Sequence, residues 1–112
     1  MNGAATLMLL AMLAAHPAPQ KLPESVTLSY GIGRDSCAHW LGVPGEDRDG
    51  VNWLFGYWTA LNFLNPNTHL VGAKAGPSGV VDEVRKLCQA QPSMPLQSAV
   101  GVVYGQMLRA GK

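Results

Sequence analysis

The sequence predicts an all-α fold, a compact bundle of about four helices with one disulfide and an extended segment before it. Two observations carry this prediction. Apolar residues recur at helical spacing in separate stretches, and proline or glycine bounds each stretch. The 112 residues have room for one domain, and the two cysteines fall in two different helical stretches.

Residues 1–20 are typical of a signal peptide. The apolar run Ala4–Ala15 has the length of a signal's hydrophobic region, and Pro17 and Pro19 follow it. No Lys or Arg precedes this run and no strict Ala-x-Ala triplet follows it, so a buried or amphipathic N-terminal helix is the alternative. We expect a periplasmic or secreted protein whose single domain spans residues 21–112, a size at which a covalent link adds needed stability.

The first part of that domain is predicted to be extended. Between Val26 and Gly33, apolar residues alternate with Thr, Ser and Gly, which is the periodicity of a strand. A lone strand has no partner for its hydrogen bonds. We therefore expect extended chain packed on the helices, or half of a two-stranded ribbon with Thr68–Val71.

Four helices follow in order. Asp35 or Ser36 can cap a short helix over Cys37–Leu41, which Gly42 ends. The acidic stretch Val43–Gly50 is interpreted as a solvated loop that caps the next helix. Val51–Leu64 is apolar on nearly all sides, which predicts a central, buried helix that ends at Asn65-Pro66-Asn67.

Two amphipathic helices complete the prediction. Ser78 is expected to cap a helix that continues to about Gln89, and Pro92 and Pro95 bracket the connection to a last helix over Leu96–Arg109. Gly101 and Gly105 are expected to let this helix cross another backbone closely, near Gly56. The predicted core residues are Trp40, Trp53, Leu54, Phe55, Trp58, Leu61, Val84, Leu87, Val100 and Val103.

The two cysteines carry the clearest chemistry in the sequence. Cys37 and Cys88 both occupy apolar-face positions, and an even cysteine count in a small exported domain predicts a structural disulfide. Two buried free thiols or a redox pair are the alternatives, although no Cys-x-x-Cys is present. A metal site of Cys37, His39, His69 and Cys88 is conceivable by ligand type, but the spacing of Cys37 and His39 fits no common zinc motif.

Composition and motifs reduce the number of function classes that the sequence supports. With 13% charged residues and a net charge of +1, the chain has no basic surface for nucleic acid. The helical stretches after residue 20 are too short or too polar to span a membrane. The sequence contains neither Gly-x-Ser-x-Gly nor His-Glu-x-x-His, so we predict a non-enzymatic protein without a cofactor or catalytic residues.

Four stretches occur in a fixed order: S-C-A-H-W-L, W-L-F-G-Y-W-T-A-L-N, V-D-E-V-R-K-L-C and, after a proline linker, L-Q-S-A-V-G-V-V-Y. In this order the chain from Tyr30 to Leu108 resembles small exported bacterial proteins of the HdeA type, the periplasmic acid chaperones. It resembles the Tai-type immunity proteins of secretion systems more loosely. The resemblance implies a compact helical domain with Cys37 bonded to Cys88 and a protein partner. The matching residues are mostly core residues, so they bear on fold more than on activity.

Several functions are compatible with these observations. The chain has few charges, whereas HdeA-type chaperones are rich in Lys, Asp and Glu, so we rank protein binding by a folded surface above acid-stress chaperone activity. An immunity or inhibitor protein for a secreted toxin is a third possible function, and an accessory subunit of an envelope complex is a fourth. The sequence is also compatible with a homodimer.

Overall fold

A computed structural model describes residues 28–112, and within that range the chain is helical without a strand. A 3₁₀ turn, Ile32–Arg34, precedes four helices: α1 (Cys37–Gly42), α2 (Glu46–Leu64), α3 (Gly76–Ala90) and α4 (Leu96–Arg109). The predicted all-α class is confirmed. The predicted signal peptide and the start of the alternating segment lie outside the described residues. Residues 28–31 and 68–71 form no strand.

The helix at the centre of the bundle is α4, and the prediction that α2 would be central is wrong. Helix α4 packs against both α2 and α3 and buries six of its side chains: Leu96, Ala99, Val100, Val103, Tyr104 and Met107. Helix α2 buries Gly50, Leu54 and Trp58 and leaves its other side in solvent. Its neighbours cover one side of it, so apolar composition alone did not decide its burial.

Helix α2 also begins earlier than predicted. It starts at Glu46, so the acidic stretch that we interpreted as a loop supplies the first helical turn. Gly45 precedes it in the left-handed conformation, with a φ of 88°, which glycine adopts without strain. Glu46, Asp47 and Asp49 then lie where negative charge stabilises the helix dipole.

Helix α1 is short and depends on links to the rest of the chain. The Ser36 hydroxyl accepts a hydrogen bond from the His39 N–H at 3.1 Å, which confirms one of the two predicted caps. The Cys37 N–H donates to the Met94 carbonyl at 2.8 Å, and the Leu96 N–H donates to the Asp35 carbonyl at 2.8 Å. These bonds hold the start of α1 against the linker that leads into α4.

The disulfide between Cys37 and Cys88 is present and joins α1 to α3, as predicted. Both residues are fully buried among the core side chains. Helix α3 begins at Gly76 instead of at a Ser78 cap, because Pro77 is well suited to a first helical turn and needs no hydrogen-bond partner. Its buried face consists of Val80, Val81, Val84 and Cys88 and packs on α4.

The predicted core is largely, but not fully, buried. Trp40, Leu54, Trp58, Val84, Val100 and Val103 are buried, and Trp53, Leu61 and Leu87 are half-buried against the same cluster. Phe55 is exposed, so its prediction as a core residue is wrong. It lies on the side of α2 that no other helix covers.

The predicted glycine crossing is also wrong. A Cβ on Gly56 would meet no atom of the described residues within 4 Å, and Gly56 is exposed. A Cβ on Gly101 would lie 4.0 Å from the Tyr57 hydroxyl, an ordinary contact, and one on Gly105 would meet Arg109 of its own helix. The packing of α4 on α2 uses larger side chains at the contact, so these glycines are not required there.

Glycine instead lies against all three tryptophans, Gly72 against Trp58 and two others more tightly. A Cβ on Gly33 would overlap the Trp53 indole, and a Cβ on Gly50 would overlap the Trp40 indole. Each indole N–H, including that of Trp58, also donates to a backbone carbonyl: Trp40 to Asp47 at 3.3 Å, Trp53 to Tyr30 at 2.9 Å and Trp58 to Val71 at 2.8 Å. The tryptophans therefore fix α1, the N-terminal segment and the loop after α2 in place.

Candidate functional site

Ligand-forming side chains are dispersed over the described chain. Residues 28–112 contain no group of three or more His, Cys, Asp and Glu side chains that could hold a metal ion. His39 Nε2 lies 3.9 Å from an Asp35 carboxylate oxygen and 4.0 Å from one of Glu46, while His69 lies in a separate loop. The disulfide consumes both sulfurs, which excludes free thiols and a metal site that uses the two cysteines.

The most organised polar group in the structure surrounds Asn62, near the end of α2. The Asn62 amide Nδ2 donates to the Val71 carbonyl at 3.0 Å, and Asn62 Oδ1 accepts from the Val71 N–H at 3.1 Å. Oδ1 also accepts from the Tyr104 hydroxyl of α4 at 3.0 Å. One side chain thus attaches the loop after α2 to both α2 and α4, and we call this arrangement the Asn62 clamp.

The turn that leads into this loop is fixed in a similar way. Asn65 is buried, its Nδ2 donates to the Tyr104 hydroxyl at 3.1 Å, and its Oδ1 accepts from the N–H groups of Asn67 and Thr68. His69 Nδ1 lies 2.7 Å from the Asn62 carbonyl oxygen. Since a carbonyl can only accept, Nδ1 carries the proton and donates it here. The loop from Asn65 to Gly72 is therefore held by internal hydrogen bonds in one conformation.

A groove of about 400 Å³ opens between α2, this loop and the start of α3. On α2, Phe55, Thr59 and Asn62 follow one another at helical spacing and so face the same way. Its wall and floor contain no Asp, Glu, Lys or Arg. The lining residues are Phe55, Trp58, Thr59, Asn62, His69, Leu70, Val71, Gly72, Ala73, Gly76, Pro77 and Val80. We call this cavity the α2 groove.

Large apolar side chains stand in solvent beside the α2 groove. Leu70, in its wall, is 71% exposed, and Phe63, one turn beyond Thr59 on α2, is 77% exposed. A small domain rarely leaves several such side chains uncovered within a few residues unless they contact a partner. The α2 groove and these side chains form the candidate binding surface.

The Asn62 clamp gives a stability prediction. Asn62→Ala should lower the free energy of unfolding by about 2 kcal/mol, because the Val71 N–H and the Tyr104 hydroxyl lose their acceptor. Urea denaturation followed by tryptophan fluorescence measures the effect. Asn52→Ala, at an exposed position of the same helix, is the control and should change stability by less than about 0.5 kcal/mol. Equal effects of the two substitutions would contradict the role of the clamp.

The sequence pattern predicts none of these residues as part of a binding surface. It places Asn62 in a polar strip on α2, and Asn65 only at the end of the helix. The signal that could have identified them is the cluster Asn62, Asn65, Asn67 and Thr68 around Pro66, because such side chains commonly bond to nearby backbone in turns. Phe55, predicted as a core residue, is exposed and belongs to the groove.

The fold and the site together define the class of protein: a small all-α domain, stapled by one disulfide, with an uncharged groove beside exposed apolar side chains. No known protein family, curated protein or solved structure matches the chain. In the part of the chain that the structure describes, no helix combines the length and the hydropathy needed to cross a bilayer.

Proposed function

We propose that this chain is an exported, non-enzymatic domain that binds a protein partner through the folded surface around the α2 groove. The observation that carries the proposal is the exposure of Phe63 and Leu70 beside an uncharged cavity, at 77% and 71%. Exposed apolar area of this kind is unfavourable in water, and covering it by a partner regains the hydrophobic free energy.

The fixed geometry of the surface favours a specific binder over a chaperone for unfolded clients. The loop that carries Leu70 is held by the Asn62 clamp and by the indole of Trp58. A preorganised surface loses little conformational entropy on binding, which suits one defined partner. A chaperone that holds diverse clients gains more from adaptable or newly exposed surfaces.

Acid is also expected to have little effect on the stability of this fold. Within residues 28–112 no Asp, Glu or His side chain is buried. Glu46, Asp47 and Asp49, at the start of α2, are half-buried or exposed. The ion pair of Arg85 with Asp47, whose carboxylate is largely exposed, adds about 0.2–1 kcal/mol. The buried core, by contrast, contains no Asp, Glu or His, and the disulfide is independent of carboxylate charge.

We therefore expect the domain to remain folded at pH 3. Because the buried core contains no Asp, Glu or His and the disulfide does not depend on pH in this range, acid should leave the packing of the domain intact. Near-UV circular dichroism of the tryptophans from pH 7 to pH 3 measures this, alongside aggregation of an acid-labile client protein. Loss of the tryptophan signal together with suppressed client aggregation would favour the chaperone instead.

Export is part of the proposal. The disulfide supports an oxidising compartment, since cytosolic proteins rarely keep one, and the resemblance to HdeA-type proteins supports the periplasm. Intact-mass analysis of protein recovered from the periplasm after expression of the full chain tests the signal peptide. We expect a product that begins between His16 and Lys21. Recovery there with residues 1–20 still attached would contradict cleavage.

Partner binding is tested with a matched pair of variants. Leu70→Ser removes an apolar side chain from the groove wall, and Val102→Ser removes an exposed apolar side chain of α4 that does not line the α2 groove. A protein captured in the native organism by the tagged wild type should be retained by Val102→Ser and lost with Leu70→Ser. Equal retention by both variants would contradict the proposed surface. The identity of the captured protein, a toxin or an envelope component, distinguishes an immunity protein from an accessory subunit.

A further inference from the structure

We infer that the α2 groove receives a single amphipathic α-helix of the partner, inserted through an uncharged apolar face. This inference rests on the proposed function and adds the chemical class of the bound segment. Three properties of the groove carry it: its lack of charge, the saturation of its backbone hydrogen bonds and its size.

The charge of the groove constrains the face that enters it. Its lining contains apolar side chains together with Thr59, Asn62 and His69, and no Asp, Glu, Lys or Arg. A charged side chain inserted there would lose its hydration without an opposite charge to compensate, which is strongly unfavourable. The inserted face must therefore be apolar, with charges restricted to the side that faces solvent.

From Leu70 to Ala73, the backbone of the groove wall offers no free N–H group for pairing with an extended strand. The N–H groups of Leu70, Val71, Gly72 and Ala73 donate to Thr68 Oγ1, Asn62 Oδ1, the Lys112 carbonyl and the Leu70 carbonyl, at 3.0–3.1 Å.

The carbonyl groups of this wall are occupied as well. The Leu70 carbonyl accepts from the Ala73 N–H, the Val71 carbonyl from Trp58 and Asn62, and the Gly72 carbonyl from the Gly76 N–H. Recognition of an extended peptide requires open backbone groups along an edge. A helix pairs its own backbone groups except at its two ends, so the interior of a helix can enter this groove without needing backbone partners from the wall.

The length of the surface suits one short segment of a partner. Taking about 200 Å² for a fully exposed aromatic side chain, Phe55 and Phe63 together present roughly 230 Å². Leu70 brings the exposed apolar area of these three side chains to the order of 350 Å². Phe55 and Phe63 lie about 12 Å apart along α2, which matches two helical turns of a bound segment.

The experiment uses a displayed library of random 16-residue peptides, selected against the folded, oxidised domain. We expect enriched sequences with apolar residues spaced three, four and seven apart and no charge among them. Fluorescence anisotropy with the best labelled peptide then measures its affinity for two variants. Thr59→Arg places a charge in the groove, and Gln106→Arg places the same charge at an exposed position of α4 outside it.

Thr59→Arg should weaken binding by about tenfold or more, and Gln106→Arg should leave it unchanged within about twofold. The selection could instead enrich alternating, strand-like sequences whose binding is weakened by Thr59→Arg. That result would refute the helix and leave the proposed function standing. If the domain captures a native partner through Leu70 but the library yields no binding peptide, the proposal that the groove receives a single helix would also be refuted. Equal binding by both variants would refute the groove as the site. A dimer that dissociates on Thr59→Arg would show that a second copy is the occupant.

Discussion

Replacement of Cys37 and Cys88 by alanine is expected to lower the free energy of unfolding by about 4 kcal/mol. The two cysteines are separated by 51 residues, and closing a loop of that length removes conformational entropy from the unfolded chain. The loss is large for a domain of this size, whose total stability is on the order of 5–15 kcal/mol. Without the disulfide, α1 should be the first helix to unfold, because a helix of six residues is not stable by itself.

Urea denaturation of the oxidised wild type, the reduced wild type and the double variant measures this loss. The double variant and the reduced wild type should unfold at similar, lower urea concentrations. In the native oxidised protein, a thiol-alkylating reagent should label neither cysteine, since both are bonded and fully buried. An unchanged midpoint in the double variant would mean that packing alone holds α1 in place.

Gly50→Ala is expected to destabilise the domain by about 2–3 kcal/mol through overpacking, although alanine is the better helix former. At an unconstrained helical position the change should stabilise by about 1 kcal/mol. At Gly50 the added Cβ would overlap the indole of Trp40, which is buried between α1 and α2. The guanidinium of Arg85 lies 4.7 Å from the indole centroid and also pairs with Asp47, so the ring cannot move without further losses.

Gly56→Ala is the matched control on the same helix. A Cβ there would meet no described atom within 4 Å, so this change should raise stability by about 0.5–1 kcal/mol. Thermal unfolding of both variants gives the comparison. Destabilisation by Gly56→Ala, or none by Gly50→Ala, would contradict the packing of Trp40 on Gly50.

The sequence by itself determined the helical class, three of the four helix positions to within a few residues, and the disulfide. The helical class and the helix positions follow from local rules, and the disulfide follows from the even cysteine count of a small exported domain. Helical periodicity with proline and glycine boundaries places Cys37–Gly42, Gly76–Ala90 and Leu96–Arg109, and apolar positions on two of them place the cysteines in the core. The rules that place the helices need only residues that are close in sequence.

The tertiary structure alone decided which side of each helix is covered. Phe55 and Trp58 are both large, apolar aromatic residues and lie one turn apart, yet Trp58 is buried and Phe55 faces the groove. Likewise Gly50 and Gly56 are indistinguishable by pattern, and only Gly50 lies beneath an indole. Neither outcome is encoded in the periodicity of α2, because both depend on where α1, the Asn62-clamped loop and α4 contact it. The candidate site lies on the part of α2 that these contacts leave uncovered, so it could not be predicted from the sequence.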